Sequence, residues 1–110
     1  MSYAVETIRA FERQAKRLQK RYPSLADDLA LLIESLAEDP RQGTPLGGDV
    51  YKVRLAIRSK HGGKSGGGRV ITAVVAVSDT VYLLSVFDKS ERASMTKAEI
   101  KKLLGELPPP

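Results

Sequence analysis

Three basic side chains alternate along one predicted strand and are suited to act on a phosphodiester. Between positions 51 and 58, apolar residues at the odd positions alternate with Lys52, Arg54, Ala56 and Arg58. Because side chains two residues apart share a face of a strand, Lys52, Arg54 and Arg58 are predicted to project together. Arginine can hold a phosphate through two parallel hydrogen bonds, and a lysine crowded by other cations can act as a general base. The alternative is an ordinary exposed sheet face, which shows the same alternation.

A basic glycine-rich segment follows this strand. Residues 59–68 include five glycines, Lys60, Lys64 and the chain's one histidine, His61. Glycine lets backbone N–H groups approach a phosphate closely, which makes this segment a candidate phosphate contact, the alternative being a flexible hairpin connection. The fragment 63–65 does not complete a P-loop, because the first glycine of that motif would fall on Arg58 and a strand follows. Nothing in the sequence holds His61 in place, so we favour a substrate contact or no role over catalysis.

Two further cations flank the next predicted strands. Arg69 opens the apolar segment 69–77, which is predicted as the central strand, and antiparallel pairing would bring it near Arg54 or Arg58. Lys89 follows a third predicted strand, 81–87. Local ion pairs are the alternative explanation for the charges in this region. The candidate pairs are Arg69 with Asp88 or Glu91, Asp88 with Arg92, and Lys89 with Glu91.

The charge of the chain is unevenly distributed. The 110 residues carry a formal net charge of +5. Residues 1–49 hold 7 Lys or Arg and 8 Asp or Glu, a balance of −1, whereas residues 50–110 hold 11 and 5, a balance of +6. The stretch from Val50 to Arg69 has six basic residues and no acid. A segment of one sign indicates a polyanionic partner such as nucleic acid or an acidic protein, unless it is simply solvated.

Composition excludes several other classes of protein. There is no cysteine and one histidine, so neither disulfides, thiol catalysis nor a zinc site is expected, and no cofactor is predicted. No apolar run is long enough to cross a membrane, and the N-terminus lacks the order of a signal peptide. We therefore predict a cytoplasmic protein with one domain, residues 1–110, in which residues 107–110 form a disordered proline tail.

The apolar periodicity predicts an α+β fold. Residues 2–6 are predicted as a strand, residues 8–22 as a helix ended by Pro23, and residues 24–39 as a second helix capped by Ser24. Residues 41–49 are predicted as a loop, and three antiparallel strands follow. The last helix is predicted from Lys97 to Leu104, with Thr96 and Glu99 as a capping box and Gly105 at its end. The order β-α-α-β-β-β-α predicts a two-layer fold, with a helical hairpin packed on a small antiparallel sheet.

Three segments of this chain resemble the RelE superfamily of toxins, and within it the HigB-like branch. The segments are 50–55, 63–71 and 87–91, and the order of elements agrees. The resemblance implies a RelE-like, microbial-RNase-like fold in the toxin of a type II toxin–antitoxin system. It further implies a ribosome-dependent endoribonuclease that cleaves messenger RNA in the ribosomal A site, without metal, by attack of the ribose 2′-hydroxyl on the adjacent phosphate.

The resemblance also assigns roles to residues. Matched by position, Lys52, Arg54, Arg69 and Lys89 are the implied catalytic residues. The additional candidates for RNA contacts are Arg58, Lys60, His61 and Lys64. The sequence departs from the best-known family members in two places: Ser90 stands where they have a further arginine, and Met95 and Thr96 stand where an aromatic residue is expected. The general acid therefore stays open, with Lys60, His61 and Lys64 as candidate replacements.

The implied partners are the ribosome, messenger RNA and a cognate antitoxin. The antitoxin is expected from the adjacent gene, with a helix-turn-helix DNA-binding domain, and the basic face predicts an acidic or partly disordered antitoxin segment. Two alternatives remain: a gyrase inhibitor of the related ParE branch, and a catalytically inert protein that only binds its antitoxin.

Overall fold

The computed structural model describes residues 2–60 and 67–109, which form an α+β fold as predicted. In chain order, the elements are β1 (Ala4–Thr7), α1 (Arg9–Arg21), α2 (Leu25–Glu38), β2 (Thr44–Gly47), β3 (Val50–Leu55), β4 (Gly68–Val75), β5 (Thr80–Asp88) and α3 (Lys97–Leu104). A single 3₁₀ turn, Ala76–Ser78, links β4 to β5.

The five strands form one sheet in the order β1-β5-β4-β3-β2. The antiparallel β3–β4–β5 meander and the central position of β4 confirm the prediction. Two features of the sheet were predicted wrongly. The sheet is mixed, because β1 pairs parallel with β5. The predicted loop 41–49 contains strand β2, which pairs with β3 although Pro45 and Gly47 are poor strand formers.

The first two helices agree with the predicted bounds to within about one residue and supply much of the core. Ala10, Phe11 and Leu18 of α1 are buried, and so are the leucines of α2 at 25, 29, 32 and 36. These residues pack with apolar side chains of β3, β4 and β5, and the cations of α1 remain on its solvent side. This apolar stripe at helical spacing is what fixes the helices to the sheet.

The predicted capping role of Ser24 is wrong. Its side chain makes no cap hydrogen bond to α2. Instead Ser24 Oγ accepts from the Ser59 backbone N–H at 2.9 Å and donates to Asp28 at 2.6 Å. The residue therefore ties the α1–α2 junction to the segment that follows β3.

The last helix has the predicted bounds and the predicted capping box. The Thr96 side chain accepts from the Glu99 N–H, and the Glu99 carboxylate accepts from the Thr96 N–H. Leu107, expected in a disordered tail, instead packs partly buried against the core and donates its N–H to Leu104 O. None of the helices described here is long and apolar enough to cross a membrane.

Candidate active-site cleft

The register of β3 and β4 places two arginines side by side. Arg54 lies directly opposite Arg69, and Lys52 lies opposite Ile71 two positions away. Directly opposed residues of an antiparallel pair point to the same face, so the three cations project together from the sheet. The register thus puts Arg69 beside Arg54, which is the first of the two neighbours that the sequence left open.

All four predicted catalytic residues meet in one cleft of about 280 Å³. Lys52 and Arg54 from β3, Arg69 from β4 and Lys89 from the segment after β5 line it. Thr44 and Ala93 complete the wall. The sequence did not single out these last two residues, because Thr44 lies in the unpredicted strand β2 and Ala93 carries no chemical signal.

In the part of the chain that the structure describes, no carboxylate neutralises this cleft. Within residues 2–60 and 67–109, none of the four cations has an acidic oxygen within 4.0 Å. Arg69 Nη1 donates to Gly68 O at 2.8 Å, and Lys52 Nζ lies 3.5 Å from Ala93 O. Four like charges held on β3 and β4 or directly after β5 produce a positive potential that suits an anion.

The ion pairs proposed as alternatives are not formed in the described part of the chain. The two acids and Arg92 have other partners. Asp88 pairs with Lys60, Glu91 with Arg21, and Arg92 with Glu99. The charges of Arg69 and Lys89 therefore remain available to a ligand.

The prediction that Arg58 shares a face with Lys52 and Arg54 is wrong. Strand β3 ends at Leu55, so the two-residue alternation no longer applies three residues later. The Arg58 side chain donates through Nε to the buried Asp28 at 2.8 Å, and its backbone N–H also donates to that carboxylate. The hydrogen bond to Asp28 raises the pKa of Arg58, and the attraction between the two charges raises it further by a smaller amount. Arg58 therefore anchors α2 and does not line the cleft.

Lys60 also has a structural partner, which argues against the predicted RNA contact. Its Nζ lies 2.5 Å from Oδ1 of the fully buried Asp88 and also donates to Gly67 O. Tyr22 donates its hydroxyl to the other oxygen of Asp88, and Ser90 donates to Oδ1 through both N–H and Oγ. The ammonium group of Lys60 is thus paired with a buried carboxylate inside the protein. His61 and Lys64 lie outside the described residues.

This network sets the protonation state of Asp88. Burial alone would favour the neutral acid, but hydrogen bonds from Lys60, Tyr22 and Ser90 outweigh it and hold the pKa of Asp88 well below its usual range. The hydrogen bond to Asp88, together with burial, raises the pKa of Tyr22. One local signal in the sequence could have indicated this carboxylate, because Asp88 is an acid at the end of an otherwise apolar strand.

A family match covers most of the chain that forms this cleft. Residues 7–105 match the family model described as the RelE toxin of the RelE/RelB toxin–antitoxin system. The chain belongs to the RelE toxin family. Its placement in the HigB-like branch stays a prediction.

Solved structures of RelE toxins share the fold. A free double arginine-to-alanine mutant of Escherichia coli RelE is 22% identical, with a TM-score of 0.60 over 96% of this chain and 94% of that one. The RelBE2 toxin–antitoxin complex of Mycobacterium tuberculosis is 21% identical, with a TM-score of 0.57 over 80% of this chain and 99% of that one. Isolated E. coli RelE is 20% identical, with a TM-score of 0.56 over 96% of this chain and 100% of that one. Among the curated proteins, none matches the chain.

Ser90, at the position where the sequence resemblance implies an arginine, makes local hydrogen bonds. Ser90 turns its N–H and hydroxyl towards Asp88. The backbone N–H groups of Glu91 and Arg92 donate to Asp88 O, and that of Lys89 donates to Gly67 O. The carboxylate and carbonyl of Asp88 therefore shape the turn that presents Lys89 to the cleft. No group of three or more His, Cys, Asp or Glu side chains in the described residues is placed to hold a metal ion.

Proposed function

We propose that this chain is the toxin of a toxin–antitoxin module and cleaves messenger RNA on the ribosome without a metal ion. One observation carries the proposal: Lys52, Arg54, Arg69 and Lys89 line a single cleft in which the described residues place no carboxylate. Membership of the RelE toxin family supports the biological class, and the cationic cleft supports a phosphodiester substrate.

The reaction is an internal transfer at phosphorus. The ribose 2′-oxygen loses its proton to a base and bonds to the adjacent phosphorus. The bond from phosphorus to the 5′-oxygen breaks, and that oxygen takes up a proton. The products are a 2′,3′-cyclic phosphate and a 5′-hydroxyl, so neither water nor an oxidant is consumed. The protein has to move two protons and stabilise the extra negative charge on the phosphoryl oxygens.

The four cations divide between these tasks by chemistry. A guanidinium keeps its proton in proteins, so Arg54 and Arg69 serve to hold and stabilise the phosphoryl oxygens. Their opposed positions on adjacent strands let both reach one phosphate. Ammonium groups exchange protons more readily, which makes Lys52 and Lys89 the groups for proton transfer. His61 and Lys64 are the remaining candidates for the general acid, since Lys60 is bound to Asp88.

A cognate antitoxin would hold the toxin inactive. The RelBE2 structure from M. tuberculosis contains a toxin together with its antitoxin, and its toxin shares this fold. An acidic segment of the antitoxin would neutralise the cleft by the same charge complementarity that attracts RNA.

Cleavage on translating ribosomes tests the proposal. Purified protein is added to a translation reaction with a defined messenger RNA, and the cut sites are mapped together with the chemistry of the new ends. We expect cuts that end in 2′,3′-cyclic phosphates and that Arg69→Ala reduces about 10²–10³-fold, the typical loss of one charge stabiliser.

Lys97→Ala provides the matched control. Lys97 is an exposed cation at the start of α3 that does not line the cleft, so its loss changes the net charge equally and should leave cleavage unchanged. DNA damage without RNA cuts would replace the proposal with gyrase inhibition. Normal growth on strong expression, without cuts in either nucleic acid, would indicate an inert antitoxin-binding protein.

A further inference from the structure

Helix α1 carries a second concentration of positive charge, away from the cleft. Arg9, Arg13, Lys16, Arg17 and Lys20 are all exposed, and we call these five residues the α1 ridge. At 100° per residue they fall within an arc of about 100°, and they extend about 16 Å along the helix axis. The ridge is therefore one straight, narrow line of cations.

The cations of the ridge are not paired with carboxylates of the described residues. In the described residues, none of its five cations has a carboxylate within 4.0 Å. Glu12, the one acid on α1, accepts a hydrogen bond from Thr7 at 2.5 Å. Like charges spaced three and four residues apart destabilise a helix by a few tenths of a kcal/mol per pair. A helix that carries several such pairs has a cost that binding of a polyanion would remove.

The ridge and the cleft lie on opposite sides of the sheet. Tyr22, at the end of α1, reaches Asp88, whereas the neighbouring residue Phe87 lies opposite Arg69 in the β4–β5 ladder. Because successive side chains of a strand point to opposite faces, α1 covers the face away from Arg69. A short RNA segment in the cleft therefore cannot also contact the ridge.

The chemistry of the ridge favours a double helix as its ligand. Single strands are usually bound through exposed aromatic side chains, but Phe11 and Tyr22, the aromatic residues of α1 and its C-terminal cap, are buried. A protein interface usually has an apolar centre, and the exposed large apolar residues of the described chain, Leu31 and Val77, lie outside α1. What remains on the ridge is a row of phosphate-binding groups.

We propose that the α1 ridge binds the phosphate backbone of double-helical nucleic acid while the cleft is free to hold a different, single-stranded segment. Such binding is independent of base sequence and strongly salt-dependent, because each phosphate contact releases condensed counterions. The surface would anchor the protein to a folded nucleic acid, and it does not depend on whether the cleft cleaves RNA.

The test compares two variants with the same change in charge. Arg13→Gln/Lys16→Gln/Arg17→Gln removes three cations from the ridge, and Lys97→Gln/Lys101→Gln/Lys102→Gln removes three exposed cations from α3 as the control. Glutamine is a good helix former, so both variants should keep the thermal midpoint of the wild type. Fluorescence anisotropy measures Kd for a 20-base-pair RNA duplex, the DNA duplex of the same sequence and a 20-nucleotide single strand, over a range of salt concentrations.

We expect the ridge variant to bind the RNA duplex at least about tenfold more weakly and to lower the salt slope by about three, roughly one per cation, with much smaller changes in the control. The same loss on the DNA duplex would assign the ridge to double helices in general, and a loss confined to RNA would assign it to folded RNA.

Three results would overturn the proposal. Equal losses in the ridge and α3 variants would mean that net charge alone attracts the duplex. Unchanged duplex binding by the ridge variant would remove the surface altogether. Tighter ridge-dependent binding of poly-glutamate than of either duplex would assign the ridge to an acidic protein. Since none of these measurements involves cleavage, they are separate from the test of the cleft.

Discussion

Lys60 Nζ and Asp88 Oδ1 lie 2.5 Å apart, in an ion pair that joins the start of the glycine-rich segment 59–68 to the last residue of β5. The Asp88 side chain is fully buried and that of Lys60 nearly so. Gly67 O, at the far end of that segment, accepts from both Lys60 Nζ and the Lys89 N–H. The buried carboxylate of Asp88 thus holds in place the segments from which Arg69 and Lys89 project.

Replacing Asp88 with asparagine should therefore destabilise the protein strongly. Asparagine keeps the shape of the side chain but leaves Lys60 without its counter-charge. Loss of one member of a buried pair typically costs about 3–5 kcal/mol. Urea unfolding at pH 7 measures the difference in the free energy of unfolding. Asp79→Asn, at an exposed left-handed position that asparagine tolerates, is the control and should change little. A loss below about 1 kcal/mol for Asp88→Asn would contradict this role.

The same network predicts how stability depends on pH. The pKa of Asp88 is lower in the folded protein than the value of about 3.9 in an unfolded chain. Its contribution is therefore complete above that unfolded pKa and is lost as the pH falls towards the folded pKa. The stability gap between wild type and Asp88→Asn should shrink as the pH is lowered from 6 to 3. A constant gap across this range would mean that the charge of Asp88 is not what stabilises the fold.

The periodicity of apolar residues made the helices and the β3–β4–β5 meander predictable. The remaining strand pairings depend on contacts between distant segments of the chain. The apolar stripes of α1 and α2 and the alternation of β3 are local signals. The parallel pairing of β1 with β5 and the weak strand β2 depend on contacts between distant segments, which no local pattern encodes. In the site, alternation correctly grouped Lys52 with Arg54, but it extended to Arg58 because nothing in the sequence marks the end of β3 at Leu55. The neutralisation of Arg58 and Lys60 required knowledge of where Asp28 and Asp88 lie.

The opposed arginines of β3 and β4 predict that replacing one of them lowers activity but raises stability. Arg54 and Arg69 lie directly opposite each other, and like charges at such positions destabilise a sheet. Arg69→Gln should raise the free energy of unfolding by about 0.2–1 kcal/mol while reducing RNA cleavage. Arg69→Lys, which keeps the charge but not the two parallel hydrogen bonds, should lower cleavage without stabilising the protein. Denaturant unfolding and cleavage assays on the same preparations measure both effects. A less stable Arg69→Gln protein would show that Arg69 contributes to the fold.

The capping box of α3 predicts a modest and recoverable loss of stability. Thr96 Oγ1 accepts from the Glu99 N–H, and Glu99 also pairs with Arg92. The hydrogen bonds from Arg92 and from the Thr96 N–H lower the pKa of Glu99 to about 2. Thr96→Ala should cost about 1 kcal/mol, the usual value of an N-cap, and Thr96→Ser should restore most of it because serine keeps the accepting oxygen. Thermal unfolding compares the two. Equal midpoints for the alanine and serine variants would mean that the hydroxyl does not cap the helix.

Gly43 and Gly47 have nearly the same φ angle but different surroundings. Substituting each therefore separates the cost of backbone strain from the cost of steric contact. Gly43 has φ +98° and Gly47 has φ +97°, a region that side chains rarely adopt. A Cβ at Gly43 would lie 2.5 Å from the backbone oxygen of Lys52, whereas a Cβ at Gly47 would meet nothing within 4 Å. Gly47→Ala should therefore cost only the backbone strain, about 1–3 kcal/mol. Gly43→Ala should cost more, because strand β3 must shift at Lys52, and it should also reduce cleavage. Equal losses of stability for the two variants, measured by urea unfolding, would mean that Gly43 is needed only for its backbone conformation.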